Sequence, residues 1–169
     1  WISAGNTLIT QRGATEWVIR QKWVDNKLKI EKDSSEKGVR KPYGQAPEIL
    51  GATAIGGTIF EVELDLTHPL AFGYTQKNIP VYKNNSIMIE MGESPYNTVA
   101  QYTEDPLISG YVSENNQKKL ALTAAGQVSS MGRGRAILFT DNPNFRGTWW
   151  SSQRMFLNAI FLGGTIRVY

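Results

Sequence analysis

Between residues 132 and 161 the chain reads GRGRAILFTDNPNFRGTWWSSQRMFLNAIF, and its apolar pattern changes period within those thirty residues. Gly132-Arg133-Gly134 has the backbone freedom of a tight turn. Ala136-Ile137-Leu138-Phe139 is a continuous apolar run, which predicts a strand covered on both faces. Asp141, Asn142, Pro143 and Asn144 are turn formers, and from Trp149 onward Met155, Phe156, Ala159 and Ile160 recur at helical spacing. The segment therefore predicts hairpin turn, buried strand, polar loop and helix. A loop that leaves the carboxyl end of a strand and enters a helix is where open α/β sheets usually bind ligands.

The amino-terminal pattern repeats part of this. Trp1 to Gly5 resembles the last turn of a helix closed by a glycine cap, Thr7 to Thr10 predicts a strand, and Gln11-Arg12-Gly13 a short loop. A helix follows over residues 14 to 23, with Trp17, Val18, Ile19 and Trp23 placed for one buried face. We read the start as lying inside a fold whose earlier elements are absent. Residues 27 to 45 are polar, mixed in charge and without a sustained period, which suggests a mobile surface loop or a basic docking arm.

In the middle of the chain, residues 48 to 54 fit a short helix or an extended approach, and residues 58 to 64 a strand. Residues 65 to 74 form a loop with apolar anchors. Shorter strands are expected at residues 81–82, 86–91 and 98–102, and a turn at Glu114-Asn115-Asn116. Many strands with a helix near each end predict an α/β domain: a partial parallel sheet with flanking helices and an antiparallel β-rich insertion. A pure β sandwich leaves both helices unexplained.

Composition narrows the function. A chain of 169 residues fits one domain that buries roughly 70% of its unfolded surface, and no apolar run approaches a membrane span. The net charge of +3 arises within the first fifty residues, where nine Lys/Arg face six Asp/Glu; such a thin excess argues against a nucleic-acid reader. The chain has no cysteine and one histidine, so it offers no thiol nucleophile, and His68 by itself cannot assemble a catalytic zinc site. No Gly-x-Ser-x-Gly elbow occurs either.

The remaining candidates are ligand or interface residues rather than catalytic ones. Asp65 and His68 stand in Asp-x-x-His-Pro, where a carboxylate could orient an imidazole, or where Asp65 and Thr67 simply bond backbone amides before Pro69. Asp141, Asn144 and Arg146 occupy the loop after the buried strand. Arg146 there either clamps a carboxylate or phosphate or pairs with Asp141 to lock the corner. Trp149 and Trp150 are adjacent on a helix and point about 100° apart, so one of them is expected at a surface, under a neighbouring domain or against a sugar.

The phrases DLTHPLAFGY (residues 65–74), DPLISGYVSENN (105–116) and DNPNFRGTWW with FLNAIF (141–161) are long and idiosyncratic. Together with NTLITQRGATEWVI (6–19), they resemble the C-terminal region of secreted bacterial zinc carboxypeptidases. In that group a peptidase domain comes first and the tail is similar to a class I glutamine amidotransferase or flavodoxin-like domain. The resemblance implies a non-catalytic accessory domain, secreted or periplasmic, that packs on the N-terminal peptidase domain or aids binding of peptide or cell-wall polymer. The zinc it implies belongs to the peptidase domain, since neither its His-x-x-Glu pair nor its later His has a counterpart here. The amidotransferase's nucleophilic Cys is missing as well. The alternatives are a cell-wall or carbohydrate-binding module and a degenerate amidotransferase-like ligand-binding domain.

Overall fold

The computed structural model describes residues 1–30 and 40–169. A short 3₁₀ turn at Ile2–Ala4, closed by Gly5, leads into β1 (Thr7–Gln11), α1 (Gly13–Arg20), α2 (Ala46–Thr53), β2 (Thr58–Leu64) and β3 (Asn78–Lys83). Next come β4 (Thr98–Ser109), α3 (Glu114–Leu120), β5 (Ala124–Met131), β6 (Gly134–Phe139) and α4 (Trp150–Leu162). Among the described residues the strands form one mixed sheet in the order β1-β6-β5-β4-β2-β3.

Parallel pairing is confined to β1 against β6, in the register Ile9 with Ile137; the other four neighbouring pairs are antiparallel. The architecture is thus mixed α/β, and the expected parallel core shrinks to a single pair. The reason lies in the connections. A tight turn at Gly132, with φ of 62°, joins β5 to β6, whereas parallel neighbours need a crossover of a dozen or more residues.

The apolar run of β6 is buried on both faces, as its composition predicts. Ile137 and Phe139 join the core under Met155 and Ala159 of α4, while Ala136 and Leu138 join Val18 and Ile19 of α1 on the other side. The face of α1 differs from the expectation. Thr15, Val18 and Ile19 are buried, but Trp17 and Trp23 are half exposed and make an edge contact at 4.9 Å. The helix stops at Arg20, and Lys22 turns with φ of 56°, so Trp23 folds back on Trp17 and not onto the sheet.

Three further expectations need correction. Residues 98 to 109 form one strand across Pro106: from Phe60 to Val62 of β2, the facing β4 residue moves from Leu107 to Tyr102. That bulge absorbs Pro106, which lacks an N–H for the ladder. The turn expected at Glu114 is the start of α3, capped by Ser113, whose Oγ accepts from the Asn116 amide at 3.3 Å. Residues 86–91 contribute only a bridge at Ile89, which pairs with Leu28 and Ala124. Of the loop expected over residues 27–45, residues 31 to 39 lie outside the described residues. Its first part is held in place, with Lys29 N donating to Met88 O at 2.9 Å.

The phrases DLTHPLAFGY and FLNAIF pack against each other. Asn158 Nδ2 on α4 donates to Leu70 O and Phe72 O, both at 2.9 Å. Tyr74 donates its hydroxyl to Ser151 O at 2.7 Å and accepts from Met155 N at 3.2 Å; burial raises its pKa to about 12. Arg154 donates to Gly73 O.

Candidate functional site

β6 delivers Thr140 and Asp141 into a buried polar cluster. Asp141 accepts from Lys83 Nζ at 3.0 Å and from the Tyr102 hydroxyl. Lys83, at the end of β3, is wholly buried, and its ammonium also donates to Ile87 O at 2.7 Å and Asn85 Oδ1 at 3.3 Å. Asn85 Nδ2 in turn donates to Thr140 O at 3.1 Å. Burial lowers the Lys83 pKa, opposed by the Asp141 charge, and burial together with that same charge raises Tyr102 well above its ordinary value. All three ammonium hydrogens of Lys83 have acceptors, which is the condition under which a buried ion pair is tolerated.

The anticipated pairing of Asp141 with Arg146 is replaced by this one. Arg146 is exposed, takes a left-handed φ of 54° and lies 5.2 Å above the Phe145 ring. That ring stacks on Tyr82 at 3.8 Å, and Trp149 completes the corner by donating Nε1–H to Pro80 O at 3.2 Å. Asn144 donates its amide to Asn142 Oδ1 at 3.0 Å and keeps a buried Oδ1 with no partner among the described residues. Trp150 is the surface member of the tryptophan pair, at 79% exposure. Asp141, Asn144, Arg146 and Trp149 thus share one corner. Of these only Asp141 lines the adjoining cavity of about 20 Å³, between Val81, Phe139 and Met155, with room for about one water.

Asp65 and His68 line a different cavity of about 390 Å³. Asp65 Oδ1 accepts from Thr67 N at 2.9 Å and Thr67 Oγ at 2.6 Å, and His68 Nδ1 accepts from Leu70 N at 3.1 Å. His68 caps the 3₁₀ turn Pro69–Ala71, and burial lowers its pKa despite the nearby Asp65. Asp65 thus bonds a backbone amide, whereas the Thr67 hydroxyl goes to the Asp65 carboxylate and it is His68 that accepts the second backbone amide. Among the described residues no three His, Cys, Asp or Glu side chains gather as a metal needs, and the one imidazole has a ring nitrogen already engaged, so these residues do not fit a zinc ion.

The largest of these spaces lies where sequence reasoning placed only a short loop. At the end of β1 the chain passes through Arg12, with φ 51° and ψ −126°, directly into α1. Such a conformation costs on the order of 1–3 kcal/mol for a residue with a Cβ. The surroundings impose it: Arg12 N donates to Phe139 O at 3.0 Å, and Thr15 Oγ donates to the same carbonyl at 2.8 Å. In front of this elbow opens a cavity of about 570 Å³, within the range of small-molecule sites. Arg-Gly directly after a strand was the available signal.

Comparison with protein-family models, with curated proteins and with solved structures finds no match for this chain.

Proposed function

We propose that this chain is a non-catalytic accessory domain of a secreted zinc carboxypeptidase, of flavodoxin-like or glutamine-amidotransferase-like descent, which packs on the peptidase domain and so supports proteolysis there. The observation that carries the packing is the outer face of α4. Ser152, Met155 and Ala159 turn to the sheet, while Trp150, Leu157, Ile160 and Phe161 are exposed, Trp150 and Phe161 at 79% and 78%. Large apolar side chains gathered on one helix face mark an interaction surface.

The test mixes the purified chain with the zinc peptidase domain that the proposal places before it. Association that Trp150→Asp plus Phe161→Asp abolishes, with no peptide hydrolysis by the chain itself, is the expected result. Hydrolysis by the pure chain, or no association, overturns the reading. A binding module for cell-wall sugars is favoured by a single observation, the exposed indole of Trp150. Trp149 and Arg146 already spend a donor or a face on Pro80 and Phe145.

A further inference from the structure

Around the cavity at the end of β1 stand three cations, Arg12, Arg20 and Lys29, and one carboxylate, Glu16. Two of the cations are engaged: Arg20 pairs with Glu16 at 2.6 Å, and Lys29 donates to Lys119 O at 2.6 Å. Arg12 is half-buried, and its guanidinium has no hydrogen bond or ion pair among the described residues. A planar five-donor fork left without acceptors while partly withdrawn from water calls for an anion. The Arg12 charge also opposes that of Lys83, a repulsion an anion in the cavity would offset.

The rest of the lining restricts which anion. Leu28, Ile87 and Met88 supply an apolar wall, and Asn85 and Ser86 polar groups beside it. The lining is net positive, since Lys29 keeps its charge on a carbonyl partner, and Arg12 is the guanidinium whose fork is unengaged among the described residues, a match for the two oxygens of one carboxylate. We infer that this cavity binds the carboxylate of an amphipathic ligand, the C-terminal end of a peptide or a free amino acid, with Arg12 as the bidentate clamp. The accessory-domain reading concerns α4 on the opposite face of the sheet, so either can fail without the other.

The whole chain is titrated by calorimetry, and by NMR following the amides of residues 12 to 16, with N-acetyl-leucyl-leucine, its C-terminal amide, free leucine and inorganic phosphate. The free acid is expected to bind about tenfold or more tightly than the amide, and Arg12→Gln to lose about that factor. Arg133→Ala, on the β5–β6 turn, should leave affinity unchanged. Preference for the acetylated dipeptide over leucine assigns a peptide end, and the reverse preference a free amino acid. Equal binding of acid and amide, no binding up to about 10 mM, or Arg12-dependent binding of phosphate alone each overturns the inference. If Arg12→Gln lowers the melting temperature, the shifts of residues 12 to 16 in the unmodified chain decide: absent shifts with the acid overturn it.

Discussion

Lys83 and Asp141, fifty-eight residues apart, meet 3.0 Å from each other with the ammonium wholly buried and the carboxylate nearly so. In the sheet order β3 is an outermost strand and β6 lies four places away, so the pair joins parts of the sheet that do not hydrogen-bond to each other. Removing one charge strands the other in a poorly solvated place. Lys83→Met or Asp141→Leu alone should each cost about 3–5 kcal/mol in urea unfolding, and the double variant markedly less than the sum. An additive double variant would show that the two charges do not act as a pair.

His68 makes stability depend on pH. Its imidazole accepts the Leu70 amide only when neutral, and burial holds its folded pKa below the ordinary 6.5. The unfolded chain therefore binds more protons as pH drops below that value, and stability falls. The contribution is complete above about pH 6.5 and is lost progressively down to the lowered folded pKa. Urea midpoints taken from pH 7.5 to 5 should decline for the natural chain and decline less for His68→Asn, which retains a capping acceptor. Equal slopes would remove His68 as the cause.

Gly134 admits no side chain. A Cβ there would sit 2.0 Å from Ile2 O and 2.3 Å from Asn6 O, both backbone atoms. Gly134→Ala should therefore cost at least the ~1–3 kcal/mol typical of overpacking, read as a lowered melting temperature. A change of less than about 0.5 kcal/mol would mean that the Ile2–Ala4 turn is free to move away.

Asn158 and Trp150 share α4 but should behave oppositely. Asn158→Leu leaves the carbonyls of Leu70 and Phe72 without that donor, costing about 1–3 kcal/mol. Trp150→Ser should stay within about 0.5 kcal/mol, because the ring is mostly in solvent. Thermal unfolding of the two variants separates them.

The parts of the fold legible in the sequence are those with a local signature. β6 announces itself by four successive apolar residues, α4 by its period, and the 132–134 turn by its glycines. The anchoring loop at residues 65–74 was legible through Leu70 and Ala71, both buried. Where distant contacts override local preference, the reading failed. Polar ENNQKKL is helical because Ser113 caps it and Leu120 inserts into the core. Of the candidate site, Asp141 was legible from its place after β6, but its partner was not. A lysine gives no sign in sequence that a carboxylate fifty-eight residues later will bury it. Gln-Arg-Gly reads as an ordinary loop, and only the hold of Phe139 O on both sides of the elbow makes Arg12 unusual.

The clasp between Lys83 and Asp141 bears on how the molecule comes apart. A strand at the rim of a sheet ordinarily frays first, but β3 cannot peel away without leaving the Asp141 carboxylate buried and stripped of its cation. Opening of the rim and opening of the β6 corner therefore become one event. The amides of β3 should exchange with solvent as slowly as those of β6, which gives this mixed sheet a single unit of unfolding instead of a firm centre with a loose border.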